Sequence, residues 1–309
     1  MKVSVVTAYY NRKALFYNTL LQLQHSVIKD FEVIAVDDGS GEENRLEALQ
    51  SEFDFLKVIR LDPADKWYTN PCIPFNTGFK AARGEIIIIQ NPECLHNGDI
   101  LEYVVNNLRE NDYLSFACYS LDKATTDRID KSTIPRLADA TGLEILPRKV
   151  NFDGDAGWYN HSVINPQGYH FCAALNKTDL VALKGFDERF ALGVACDDNE
   201  FLFRVKEKGM NFKIIDEPFV LHQNHYFFDK ETRGLINLTY KKPDSNFLMR
   251  KNEYLLKRTI RRKAWKIRAM SKKGLFIADF FLTRRLKTLY YLQSFVLRVK
   301  ARVNLIRQK

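Results

Sequence analysis

The sequence offers little for thiolate or disulfide chemistry. Its five cysteines, Cys72, Cys94, Cys118, Cys172 and Cys196, are odd in number and none forms a CxxC pair. Neither a zinc ribbon nor a disulfide framework is therefore expected, and a reducing compartment is the simpler reading. No GxGxxG or GxxxxGK[ST] loop occurs, which weighs against the glycine-cradled phosphate sites of dehydrogenases and P-loop enzymes. Nor does an apolar run approach the ~20 residues that a membrane helix needs. The longest in the C-terminal region, Leu275 to Leu282, is interrupted by Asp279. The N-terminus enters the apolar run Val3 to Val6 at once with no cleavage pattern behind it, and reads as a first strand rather than a signal peptide. Internal repeats and low-complexity tracts are also missing.

What is present is a chain of 309 residues, 46% hydrophobic, long enough to bury a sizeable core. The net charge of +9 is unevenly placed. Residues 1–248 carry 28 Lys and Arg against 36 Asp and Glu, whereas residues 249–309 carry 19 against 2. An acidic body would repel a duplex and no reading module is visible, so nucleic acid is not an expected partner.

The first third alternates short β-rich runs with helical stretches. Strands are predicted at Lys2–Thr7, Glu32–Val36, Leu56–Leu61 and Glu85–Gln90, with helices to about 28, to about 52 and over 74–82. This is the βαβ rhythm of a parallel sheet. Phe16, Leu20, Leu23 and Val27 make one apolar face on the first helix. The run Ile86–Ile89 suits a central strand buried on both faces, and Asn91-Pro92 ends it. Further on, a helix is expected near 99–109 and strands near 113–118, 169–175 and 212–215, whereas 122–167 reads as long loops able to wall a pocket.

Ligands of open parallel sheets sit beyond the carboxyl ends of the strands. Three such ends are polar here: Thr7-Ala8-Tyr9-Tyr10-Asn11-Arg12, Asp37-Asp38-Gly39-Ser40 and Asn91-Pro92-Glu93. Carboxylates facing a phosphorylated ligand repel it unless they hold a base, a ribose hydroxyl or a divalent cation. In order and spacing these segments resemble the family 2 glycosyltransferases of GT-A fold, over roughly residues 1–230. VSVVTAYYNR looks like their opening VSVVIPTYNR, and VIAVDDGS like their second strand.

The resemblance implies an α/β fold with a mostly parallel, Rossmann-like central sheet flanked by helices, as a GT-A domain over 1–240 with a basic helical tail over 241–309. It implies that Thr7, Ala8, Tyr10 and Asp38 line the nucleotide pocket, with Asp38 accepting from the base. Arg12, Asn76, Lys80 and Arg83 fall where the family places ribose and diphosphate contacts, and Asn91 where it can bond the sugar or ribose. The family's Asp-X-Asp is replaced by Asn91-Pro92-Glu93. Glu93 is then the one anionic ligand for Mn2+ or Mg2+. His222 and His225, in VLHQNHY, stand where GT-A families place a metal or phosphate ligand, with His225 favoured. Cys196-Asp197-Asp198 after GFDE looks like the family's acidic pair, which makes Asp198 the general base and Asp197 its neighbour, whose like charge raises its pKa. Trp158 and Tyr159 are candidates for stacking on a sugar, against an equal expectation of loop packing.

From Leu282 onward apolar residues recur every three or four positions among Arg284, Arg285, Lys287 and Arg298. Such a cationic amphipathic helix can lie on an anionic membrane, or pack on the domain or on a second copy of the chain. The resulting expectation is an inverting enzyme of polysaccharide biosynthesis. It would move a sugar from a nucleotide-diphosphate donor, a UDP-sugar first, to a hydroxyl of a glycan or lipid-linked glycan, in the cytoplasm or at the inner membrane face. The alternative is a non-catalytic nucleotide-sugar or glycan-binding protein with a membrane-associating tail.

Overall fold

A computed structural model of the chain describes residues 1–130, 132, 134, 143–229, 234–237, 245–263, 265–267 and 269–307. The N-terminal half begins β1 (Val3–Tyr9), α1 (Lys13–Gln24), β2 (Phe31–Asp37), β3 (Leu56–Arg60), α2 (Cys72–Ala81) and β4 (Ile86–Gln90). These strands pair in parallel in the order β3-β2-β1-β4, as the βαβ rhythm requires. Ile87, Ile88 and Ile89 of β4 are fully buried, because helices cover both faces of the sheet. Alternate residues of β1 divide between the layers: Val5 and Tyr9 join the core under α1, and Val6 the core under α2.

Two expected elements differ. Between β2 and β3 there is no α-helix but two 3-10 turns, Glu42–Asn44 and Glu47–Ser51. The buried residues here, Leu46 and Leu49, are three apart, which suits the tighter turn. Val27 lies past the end of α1 and is exposed, so only Phe16, Leu20 and Leu23 form its inner face.

Beyond β4 the chain adds β5 (Cys94–Asn97), α3 (Ile100–Asn107), β6 (Asp112–Ser120), α4 (Lys123–Thr126), β7 (Gly157–Asn160), β8 (Cys172–Asn176), α5 (Lys177–Leu183), α6 (Asp197–Glu207) and β9 (Asn211–His222). β8 runs antiparallel to both β4 and β6, and β9 is parallel to β6, which completes the order β3-β2-β1-β4-β8-β6-β9-β5 with β7 on β6. A hairpin of β10 (Tyr226–Asp229) and β11 (Gly234–Asn237) follows. The chain ends in α7 (Ser245–Arg261) and α8 (Lys272–Arg307).

The expected domain limit near 240 lies outside the described residues. Beyond it α7 rests on the body. Asn252 Nδ2 donates to the carbonyls of Phe190 and Ala195, and Lys251 Nζ to that of Leu192. All five cysteines are buried and free. Among the described residues no helix is long and apolar enough to cross a membrane.

Candidate active site

The two aspartates ending β2 have separate tasks. Asp37 is buried and fully engaged: Oδ1 accepts from the Ser40 amide at 2.8 Å and Oδ2 pairs with Arg60 at 2.7 Å. It fixes the turn after the strand. Asp38 is half-buried at the carboxyl edge, where Lys66 Nζ lies 2.6 Å from Oδ2 and Tyr68 Oη donates to Oδ1 at 2.5 Å. Lys66 also lies over the Tyr10 ring, 5.1 Å from its centre. Ala8 and Trp67 pack against the adjoining core. A carboxylate, a cation and aromatic faces thus gather at a strand's carboxyl end, where ligands of open α/β sheets sit.

Glu93 stands between β4 and β5, and its buried carboxylate is divided. Oε2 pairs with Arg12 at 2.5 Å, while Oε1 lies 3.1 Å from His222 Nε2 and 3.5 Å from His225 Nε2. One donor atom from each of these three residues lies within 4.8 Å of the others, and all three residues are buried. The register brings them together: Cys94, next to Glu93, is paired with His222 at the end of β9. The turn to β10 then sets His225. Gln223 Nε2 donates to the carbonyls of Leu15 and Glu93, and the Asn224 amide to Thr126 Oγ1. One carboxylate and two imidazoles converging this way fit a divalent cation, and the nitrogen-rich set suits Mn2+ better than Mg2+. Burial alone would raise the pKa of Glu93, but the Arg12 guanidinium and then His225 outweigh it and hold the carboxyl well below the usual range. Burial lowers the pKa of His225, against the upward pull of the Glu93 carboxylate.

The acidic pair opens α6. Asp197 is buried and accepts from Asn70 Nδ2 at 2.8 Å. Asp198 is half-buried and its pKa is raised to about 7, first by burial and then by the charge of Asp197. The helix is anchored by Arg204, whose guanidinium donates to Glu200 and to the carbonyls of Leu183 and Gly185 with no exposed surface. Just before the pair, Ala195 and Cys196 have φ of 59° and 68°. Left-handed conformations of non-glycine residues cost about 1–3 kcal/mol each and concentrate at functional sites. Here Asn252 of α7 holds the strained turn in place.

The metal-type cluster and the acidic pair are joined by three residues leading into β8. The Tyr169 hydroxyl accepts from Asn199 Nδ2, and the charge of Asp197 acts on buried His170. The Phe171 carbonyl accepts from the Asn91 amide, and its ring meets His222 edge-on. Tyr159 stacks on Phe171 and also meets His222 edge-on, so it lies beside the cluster.

Several expected contacts are corrected. Thr7 is buried, and by strand alternation it points with Val5 and Tyr9 into the α1 layer, away from the pocket. Asn76 braces the backbone: its amide donates to the Phe186 carbonyl and to Glu188 and accepts from the Phe186 amide. Arg83 pairs with Glu32 near the start of β2, at the amino end of the sheet. Lys80 is exposed in the last turn of α2, which runs back toward that same end. None of these four can meet a ligand at the carboxyl ends. Trp158 packs in the core against Tyr119 and Phe219, so it does not serve as a sugar platform. Sequence reasoning missed Lys66, Tyr68 and Asn70. The cluster WYTNP ahead of a helix was the available signal, since polar and aromatic residues in a loop at a strand's carboxyl end are pocket material.

Comparison with known proteins agrees with this architecture. The family described as Glycosyl transferase family 2 matches residues 4–171. The protein named uncharacterized glycosyltransferase YfnE, of Bacillus subtilis (strain 168), is 24% identical over 263 residues, covering 73% of this chain and 65% of YfnE. Chondroitin synthase of Escherichia coli is 24% identical over 248 residues, covering 74% of this chain and 36% of that protein. The chain thus spans less than two thirds of either relative. Among solved structures, S. aureus TarS 1–349 superposes with a TM-score of 0.55 at 14% identity, covering 91% of this chain and 72% of that one. The same fragment in complex with UDP-GlcNAc gives 0.54 at 15% identity, covering 85% and 69%. With its strand order, its acidic strand ends and more than half its length matched, this chain belongs to the family 2 glycosyltransferases.

Proposed function

We propose that the protein transfers a sugar from a nucleotide-diphosphate donor to an acceptor hydroxyl with inversion at the anomeric carbon. UDP is the favoured nucleotide, and UDP-GlcNAc, which TarS holds in one solved complex, is the first donor to test. The carrying observation is the opposed tuning of two carboxylates linked through Tyr169–Phe171. Glu93 is held ionised by Arg12 and His225, whereas Asp198 is pushed to about 7. Carboxylates driven apart in this way mark an ion-holding group and a base poised near neutrality.

Asp38, flanked by Lys66, Tyr68 and Tyr10, takes the nucleoside, with Ala8 leaving room for it. Glu93, His222 and His225 would hold Mn2+ or Mg2+, which when bound offsets charge on the departing diphosphate. Arg12 adds a cation on the same side, and Asn91 offers its side-chain amide to the sugar. Asp198 removes the proton of the acceptor hydroxyl as that oxygen attacks the anomeric carbon and the bond to the diphosphate oxygen breaks. Asp197, tied to Asn70, fixes the start of the helix carrying the base. Tyr159, beside His222, would touch the sugar. The acceptor class is a glycan or lipid-linked glycan of polysaccharide biosynthesis.

Asp198→Asn tests the assignment. Transfer is expected to fall by roughly 10²–10⁴, while calorimetric binding of UDP with Mn2+ stays within a factor of a few. Unchanged turnover would remove Asp198 from the reaction, and identical UDP binding with and without Mn2+ would remove the metal role of Glu93 and its histidines.

A further inference from the structure

Part of the cationic surplus of the last two helices encloses a cavity. Arg258 and Thr259 of α7, with Arg262 just past its end, face Phe281, Arg284 and Arg285 of α8 across a space of about 570 Å3. Two other charged residues on its wall are already neutralised: Asp279 pairs with Lys251 at 2.7 Å, and Arg189 with Asp187. The other four arginines have no carboxylate partner among the described residues. The Thr259 hydroxyl, also on the wall, is buried with no hydrogen-bond partner there. Guanidinium groups gathered without counter-charge favour an entering anion, and their forked donors match phosphate oxygens.

Phe281, on the wall of this cavity, also belongs to an apolar ridge of α8. Phe276, Ile277, Phe280 and Phe281 are 43%, 50%, 58% and 63% exposed, whereas Leu275 and Leu282 are buried. At 3.6 residues per turn the four exposed residues fall on one side of α8, together with Lys273, Arg284 and Lys287, and the two leucines on the other. Large apolar side chains framed by cations are the make-up of helices that lie in a bilayer interface. A second copy of the chain is a poor occupant, because the segment 249–309, with 19 Lys and Arg against 2 acids, would meet itself.

We propose that the α7–α8 cavity takes the phosphate of an anionic phospholipid headgroup while the Phe276–Phe281 ridge enters the acyl boundary beside it. The start of α8 touches the donor pocket's wall: Phe276 lies 5.7 Å from Trp67, ring centre to ring centre, and Lys272 Nζ lies over the same indole. An anchored α8 therefore holds that wall at the membrane surface.

Vesicle flotation of the full chain tests this without measuring transfer, so its outcome is independent of the proposed reaction. The chain is expected to float with phosphatidylcholine vesicles containing phosphatidylglycerol and to stay behind with phosphatidylcholine alone. Arg284→Gln with Arg285→Gln should lower partitioning by at least about tenfold, as should Phe280→Ser with Phe281→Ser. Arg284→Lys with Arg285→Lys should keep most of it. Melting temperature and UDP binding are read on each variant, and all four positions are exposed, so a folding defect would show there. In the unmodified chain, added salt must release the protein from the vesicles. Flotation indifferent to phosphatidylglycerol, or unaffected by both double variants, overturns the proposal. So does stabilisation by free glycerol phosphate without flotation, which would make the cavity a soluble-anion site, or self-association abolished by the phenylalanine variant.

Discussion

Asp198 and Glu93 are both acids removed from bulk water, and the sign of what surrounds them separates their behaviour. Asp198 is removed from water with the like charge of Asp197 beside it, so its pKa rises to about 7. As a base it must be ionised, so kcat is expected to climb with pH and level off above about 7, a profile that rate measurements under saturating donor can check. For stability the sign is opposite. The folded state favours the protonated acid, so ionising it as pH rises toward 7 costs stability, and Asp198→Asn should melt no lower than the parent at pH 8. Glu93 has Arg12 and His225 instead, and its folded pKa lies below the unfolded value. Its contribution is present above the unfolded carboxylate range and is lost as pH falls toward the depressed value. Replacing it by Ala leaves Arg12 without its buried counter-ion at an expected cost of about 3 kcal/mol. Denaturant unfolding at pH 7 would measure that cost, and the gap should shrink in acid.

The strained turn and α6 illustrate how an element carries a residue to its post. α6 cannot slide, because Arg204 ties its first and second turns to the α5 end through Leu183 and Gly185. The preceding turn is held from outside by Asn252, which also crowds Gly193: a Cβ there would lie 2.0 Å from Asn252 Oδ1. Asn252→Ala is therefore expected to cost about 1–2 kcal/mol in stability and to lower kcat more than it raises the KM for donor. The variant loosens the loop before Asp198 and leaves the Asp38 pocket alone. Steady-state kinetics beside thermal melts would show it, and an effect confined to donor KM would refute it. The sequence announced the acidic pair through the GFDE segment before it. It could not announce the clamp, which joins residues 57 positions apart.

At the scale of the whole molecule, the sheet is two sets of strands joined by β8, which runs against both neighbours. That reversal sets Tyr169–Phe171 between the Glu93 cluster and the acidic pair. The last two helices belong to the same assembly. Leu255 and Leu282 pack with Phe190 and Cys196 in one cluster, and the start of α8 touches Trp67. A chain ending before Ser245 should consequently melt at lower temperature and lose turnover even in vesicle-free assays, which differential scanning calorimetry and a UDP-release assay can establish. Retention of full stability would mean that α7 and α8 are only an appendage.

From residues alone, the parallel rhythm, the buried strand Ile86–Ile89, the three polar strand ends and the acidic pair were all legible, because periodicity and strand-end chemistry are local properties. Resemblance supplied Asp38, Glu93 and Asp198 by position along the chain. Lys80 and Arg83 were misplaced by the same route: proximity to a motif in sequence does not say at which end of a sheet a helix finishes. Only the tertiary structure decided that Glu93 meets His222 and His225 across β5 and β9, since that pairing depends on register over more than a hundred residues. It also decided which of two adjacent aspartates is bound by Arg60 and which by Lys66 and Tyr68, because neighbours in space, not in sequence, supply the partners of a charge withdrawn from water.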